Sequence, residues 1–213
     1  VGPPGAGKST IAHLIARYYD VSAGRITFDG QDLRDVTLES LRQSVSIVQQ
    51  QPFLFTASVD HNVAYGDPWA GRSSIERSSA AAQLHNYIKK LPTGYGTLVG
   101  ERGVSLSGGQ RQRLSIARGV LVDSNVLVLD DSTAAVDAAT EQRIRSAMKE
   151  VVKERAVVII AHRLSSLMHA DEIIFLEDGH IVERGNHEEL LALGGRYREL
   201  FDLQSIDDHE DGA

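Results

Sequence analysis

The sequence predicts an α/β fold: a parallel-sheet core, an inserted helical subdomain and a small antiparallel β element. Three observations carry this. From residue 126 onward, strand-like and helix-like runs alternate (126–129, 138–152, 157–161), as in a parallel sheet. From about Phe53 to Gly103 strand-like apolar runs vanish, and Ala- and Ser-rich helical stretches such as 73–91 take their place. Runs 173–176 and 181–182 then flank Asp178-Gly179, a tight-hairpin signal.

The elements follow in order. Residues 10–19 read as a helix, with Ile11, Leu14, Ile15 and Tyr18 on one face. Residues 25–28 read as a strand closed by Asp29-Gly30, 38–43 as a short helix and 45–48 as a strand that Pro52 ends. Gly94-Tyr95-Gly96 and Gly100-Glu101-Arg102-Gly103 are loops. Ser107 caps a helix through Leu114 and Ala117 to Leu121, and Asn186 with Glu189 forms a capping box ahead of Leu190. The acidic stretch 207–213 has nothing to bury and is expected to be disordered.

The 213 residues suffice for one good-sized domain, and 42% hydrophobic with 24% charged residues is ordinary for a globular protein. A net charge of −7 argues against nucleic acid as a partner. The absence of cysteine excludes disulfides and thiolate metal sites. No apolar stretch approaches the roughly 20 residues of a membrane span, and no signal-peptide pattern is present.

Gly2-Pro3-Pro4-Gly5-Ala6-Gly7-Lys8-Ser9-Thr10 is a phosphate-binding P-loop entering a helix. Gly5 and Gly7 let backbone N–H groups turn toward phosphate oxygens. Lys8 reaches the β- and γ-phosphates, and Ser9 offers a hydroxyl to Mg²⁺. Such a loop is expected to follow a buried strand, of which Val1 alone is present, so further chain is expected upstream. The apolar run 126–129 delivers Asp130 and Asp131 to the carboxyl end of a buried strand, where open α/β sheets bind ligands. Asp130 suits Mg²⁺, and Asp131 stands where a base for the attacking water belongs. His162 follows another strand at its carboxyl end, as a γ-phosphate contact. Leu106-Ser107-Gly108-Gly109-Gln110 offers a hydroxyl and open N–H groups at a helix start, a second anion site without lysine. Two such sites meet on one ATP most economically in a dimer, each copy contributing one.

These motifs, in this order, resemble the nucleotide-binding domain of an ATP-binding cassette (ABC) transporter. Pro52-Phe53-Leu54-Phe55, Gly100-Glu101-Arg102-Gly103, Ala161-His162-Arg163-Leu164-Ser165 and Gly185-Asn186-His187-Glu188-Glu189-Leu190 are similar to the exporter type with a fused membrane domain, the B-type or multidrug-exporter-like kind. The resemblance implies a RecA-like P-loop NTPase core over about 1–52 and 120–204. The helical signature subdomain is then about 53–119, and 205–213 an acidic tail. It implies that Gly2 to Thr10, Gln50 and the partner's Ser107 to Gln110 bind ATP. Ser9, Gln50 and Asp130 hold Mg²⁺, and Asp131, His162 and Gln50 serve catalysis. Gly100 to Gly103 sense the membrane domain, and Ala134-Ala135-Val136-Asp137 form the D-loop. The implied function is ATP-driven export at the cytoplasmic face of a membrane, with a second nucleotide-binding domain and a transmembrane domain as partners.

Two departures stand out. The strand-borne aromatic that stacks on adenine in the family lies before the P-loop, outside this sequence. The family's usual base is glutamate, and here Asp131 is one methylene shorter. A mainly ATP-binding, degenerate half of a heterodimeric exporter is therefore an alternative. A soluble cassette ATPase ranks below both, because no long coiled-coil insertion interrupts the core.

Overall fold

The structure, a computed structural model, describes residues 1–100 and 106–210, with 206–210 described by backbone alone. Glu101, Arg102 and Gly103 of the expected sensing loop lie outside the described residues. In chain order the elements are α1 (Lys8–Ile15), β1 (Thr27–Phe28), β2 (Gln31–Asp32), α2 (Leu38–Ser44), β3 (Val45–Val48), α3 (Val59–Val63), α4 (Arg72–Ala81), α5 (His85–Ile88), α6 (Gly108–Leu121), β4 (Val126–Asp130), α7 (Ala138–Val151), β5 (Ala156–Ile160), β6 (Ile173–Glu177), β7 (His180–Gly185), α8 (His187–Leu193) and α9 (Arg196–Glu210). Two compact units comprise 1–13 with 159–213, and 14–158. Among the described residues no helix is long and apolar enough to cross a membrane.

The unit 14–158 is built on parallel pairing. β3 and β4 run side by side from Val45↔Val126 to Val48↔Leu129, and the sheet order is β3-β4-β5. A parallel pair needs a long crossover, and helices α3 to α6 lie within it. Leu114, Ile116, Ala117 and Val120 of α6 share one buried cluster with Val48 and Leu127 of the strands. Val59, Ile75, Leu84 and Tyr95 from the crossover, and Ile144 and Met148 of α7, join the same cluster. β1 and β2 form a hairpin whose turn, Asp29 and Gly30, has φ of 49° and 81°. Two positive φ values in a two-residue loop match the twist of paired strands.

Two expected helices are shorter than the sequence pattern predicts. The helix expected over 10–19 ends at Ile15, because Arg17 turns left-handed at φ 51°. The Arg17 guanidinium holds that turn by donating to Leu33 O (2.7 Å) and Val36 O (2.9 Å). The single helix expected over 73–91 breaks into α4 and α5 at Gln83, φ 56°. Gln83 N–H donates to Ala80 O (2.9 Å) and Leu84 N–H to Ser79 O (2.8 Å). That is a Schellman cap with glutamine where glycine is customary.

Gly119 of α6 lies against β3. A Cβ there would stand 2.4 Å from Val48 Cγ2, and Ser46 Oγ donates to Gly119 O at 3.1 Å. Gly119→Ala gains up to about 1 kcal/mol of helix propensity, but overpacking costs about 1–3 kcal/mol. We expect a net fall in melting temperature, read by differential scanning calorimetry; an increase would show that α6 can shift off the sheet.

In the other unit, β6 and β7 pair from Ile173↔Gly185 to Glu177↔His180, with an irregularity at Phe175/Leu176 and a turn at Asp178 (φ 48°) and Gly179 (φ 77°). Val1 lies beside β6: its N donates to Ile174 O, and its carbonyl accepts from Leu176 N–H, both at 2.8 Å. One residue bonded to j−1 and j+1 is the parallel pattern. Asn186 and Glu189 make the expected capping box of α8. Ala161, Leu164, Ile173, Phe175, Leu190 and Tyr197 form this unit's own core.

Helix α9 was not legible in the sequence, and the acidic residues expected to be disordered continue it as far as Glu210. Its start is fixed by Glu183 of β7, whose carboxylate accepts from Arg196 N–H (2.5 Å) and Tyr197 N–H (2.9 Å). Tyr197 is fully buried, and Leu200 and Phe201 follow it against the core at helical spacing. Arg198 with Asp202 (2.8 Å), four residues apart, braces the exposed side.

Candidate nucleotide-binding site

The P-loop belongs to the unit of β6 and β7. Gly5 (φ 80°) and Gly7 (φ 99°) need no space, since a Cβ on either would meet nothing within 4 Å; they supply left-handed backbone. Gly2 differs. At φ 142°, its Cβ would stand 1.9 Å from Leu176 O, so the β6 backbone demands glycine there. Lys8 opens α1, is only 7% exposed, and donates from Nζ to Gly2 O (2.7 Å) and Pro3 O (2.8 Å). The ammonium is thereby held within the curl of the loop. Ser9 and Thr10 stand exposed in the first turn of α1. A helix N-terminus, open backbone turns and a held cation together favour an anion.

His162 lies in the same unit, two residues beyond β5, and is exposed between buried Ala161 and Leu164. Its carbonyl accepts from Gln204 Nε2 at 2.6 Å.

The unit 14–158 brings together Gln50, Asp130, Asp131 and the signature helix. Asp130 is the last residue of β4 and 6% exposed. Asp131 is 9% exposed and adopts φ 44°, a conformation that Asp tolerates better than most residues. β3 and β4 are parallel neighbours, so their carboxyl ends coincide, and Gln50 lies two residues past β3. Gln50 Nε2 donates to Asp131 Oδ2 at 2.9 Å.

Ser107 Oγ accepts from Gln110 N–H (3.3 Å), and Gln110 Oε1 accepts from Ser107 N–H (2.9 Å), a complete capping box. Gln110 thus commits its amide oxygen to the cap, whereas the Ser107 hydroxyl uses a lone pair and keeps its proton for donation. The start of α6 rests on the expected D-loop: a Cβ on Gly109 would stand 2.8 Å from Ala135 O, and one on Gly108 3.6 Å from Ala135 Cβ. Asp137 closes that segment by accepting from Thr140 N–H (2.9 Å) at the start of α7. This bond holds its carboxyl below the usual carboxylate range.

Sequence reasoning missed Gln112. Buried on α6, it accepts from Ala135 N–H on Oε1 (2.7 Å) and directs Nε2 at Gln50 O (3.5 Å). One side chain therefore joins α6 to the loops that carry Gln50 and Ala135. No spacing rule marks it, because a polar residue inside a helix reads as surface.

Of the residues expected to hold Mg²⁺, the unit 14–158 carries a carboxylate (Asp130) and an amide oxygen (Gln50), and the Ser9 hydroxyl belongs to the other unit. Hard divalent cations take oxygen ligands, and Gln50 spends its nitrogen on Asp131, leaving Oε1 as a ligand. By donor chemistry Asp130 and Gln50, within their own unit, suit such an ion.

Fold and motif geometry define a P-loop nucleotide-binding domain. The family model described as "ABC transporter" matches residues 1–134, and the chain belongs to that family, as an ATP-binding domain. It is 48% identical over 206 residues to an ATP-dependent lipid A-core flippase of Legionella pneumophila. It is 46% identical over 207 residues to an uncharacterized ABC transporter ATP-binding protein of Bacillus subtilis. Each match covers 97% of this chain and 35% of the relative, so the chain spans about a third of those proteins' length. A bacterial Atm1-family ABC exporter solved with ATP bound superposes with a TM-score of 0.92 at 44% identity, covering 95% of this chain and 36% of that one.

Proposed function

We propose that the domain binds and hydrolyses MgATP as the motor of an ABC exporter, closing against a second nucleotide-binding domain. The observation that carries this is the Gln50–Asp131 hydrogen bond at the carboxyl ends of β3 and β4, in a chain that also holds a complete P-loop. Within the domain, 53–119 is the helical subdomain, and 1–52 with 120–204 is the core. The P-loop amides and Lys8 bind the phosphates. Asp131 takes the proton of the attacking water, and Gln50 orients that carboxylate. His162 contacts the γ-phosphate, and Ser107 with the open amides of Gly108 and Gly109 serves the ATP bound by the partner. Asp130 and Gln50 would offer oxygens to Mg²⁺, which would supply neutralisation of the developing phosphate charge. A cleft of about 590 Å³ beside the Gln50 loop is lined by Arg42, Pro52, Phe53, Tyr65 and Arg118. Its exposed Phe53 and Tyr65 support a membrane domain as the second partner, and with that partner the domain works at the cytoplasmic face. The full-length protein in lipid vesicles is expected to hydrolyse ATP saturably and to stop on chelation of Mg²⁺. Absence of ATP binding would overturn the assignment.

A second reading, a slow site in a heterodimer, rests on Asp131 itself. Its carboxylate is shorter than glutamate and is already engaged by Gln50. Misplacement of a base by about 1 Å costs on the order of 100-fold, so in that reading Asp131→Glu raises hydrolysis at this domain's own site, read in single-turnover assays of the assembled transporter, about 10- to 100-fold. An unchanged or reduced rate rejects it.

A further inference from the structure

We infer that Gln204, on helix α9, is a positioning residue for His162. Its carboxamide forks onto the loop that carries His162: Nε2 donates to His162 O at 2.6 Å, and Oε1 accepts from Leu164 N–H at 2.9 Å. The orientation of the amide follows from the partners, since a carbonyl needs the nitrogen and an N–H needs the oxygen. Both peptide groups are held on either side of Arg163, so the backbone from His162 to Leu164 has one arrangement. The direction in which the imidazole leaves the chain is set with it.

The clamp is itself anchored. Glu183 caps the start of α9 through Arg196 and Tyr197 N–H. Tyr197 is buried, and its hydroxyl lies 2.7 Å from His187 Nδ1. Tyr197, Phe201 and Gln204 fall at i, i+4 and i+7, so Gln204 ends the stripe that docks the helix. Leu164 is 1% exposed, which fixes the far side of the loop, whereas His162 is exposed and has its carbonyl tied to Gln204.

The inference rests on the reading of His162 as a γ-phosphate contact, so the test separates the two. Steady-state ATPase is measured on the full-length protein carrying His162→Ala, Gln204→Met or Gln204→Glu. Loss of turnover in His162→Ala establishes the histidine's role; parental turnover removes that role and this inference with it. Methionine keeps the length of glutamine and breaks both bonds. Glutamate keeps the acceptor for Leu164 N–H and loses the donor to His162 O. A contact group displaced by a fraction of an ångström costs about tenfold, so kcat in Gln204→Met is expected to fall about tenfold, with KM for ATP and melting temperature near parental values. Gln204→Glu is expected to fall between Met and the parent. A kcat within twofold of the parent in Gln204→Met, with His162→Ala inactive, overturns the inference. So does a loss of kcat that tracks an equal loss of thermal stability, since packing of α9 then explains it.

Discussion

Lys8→Ala is expected to abolish tight MgATP binding by the full-length protein. The side chain is 7% exposed and its ammonium is held 2.7 and 2.8 Å from two loop carbonyls, so it meets an incoming phosphate already placed. A charge-assisted hydrogen bond is worth about 1.5–3 kcal/mol, and Lys8 addresses two phosphates. About 3 kcal/mol in all is roughly 100-fold in affinity. The check is a titration with a fluorescent ATP analogue, beside a melting curve to show that the loop still folds without its ammonium. Affinity equal to the parent's would remove the P-loop from the proposed site.

The second large effect is a contrast between two substitutions in the same unit. If Asp131 is a poor base and Ser107 serves a better site on the partner, Ser107→Ala damages turnover of the whole transporter far more than Asp131→Asn. In a symmetric homodimer both substitutions are severe, because every site uses one of each. The geometry sharpens the comparison. Asparagine tolerates the left-handed backbone of Asp131 as aspartate does and still offers Gln50 an acceptor, so Asp131→Asn removes the base and little else. Ser107→Ala also removes an N-cap, at about 1 kcal/mol, whereas glycine at an N-cap costs only a few tenths. Ser107→Gly therefore separates anion contact from capping: equal loss in Ala and Gly assigns the defect to the hydroxyl. Steady-state ATPase of the reconstituted protein reads all three variants. A collapse in Asp131→Asn matching that in Ser107→Ala would reject the slow-site reading.

The parts of the fold that were legible rest on local chemistry. The expected strand 45–48 and the helix from Ser107 to Leu121 appear with the same bounds, because a buried strand and a Ser/Gln capping box are written in adjacent residues. Both Asp-Gly turns appear at their hairpins for the same reason. Two of the three failures, Arg17 and helix α9, are non-local. Arg17 and Gln83 take left-handed conformations that nothing nearby announces, one supported by Leu33 and Val36, the other by the carbonyls of α4. Helix α9 owes its start to a carboxylate on β7, thirteen residues away from Arg196. The site divides in the same way. Lys8, Ser107, Asp130 and Asp131 sit in motifs whose spacing states their chemistry. Gln112 and Gln204 act through bonds to backbone groups 23 and 42 residues distant and leave no pattern.

The three P-loop glycines also differ in what would preserve them. Gly5 and Gly7 answer to the shape of a phosphate cradle, but Gly2 is pressed on the backbone of β6. In a descendant that had given up nucleotides, mutational drift would be free to replace Lys8 and relax the later turns, while any side chain at position 2 would still push apart the strand contact made by Val1. A surviving first glycine in a divergent paralogue is thus a record of folding, and the lysine is the residue by which a living ATP site should be judged.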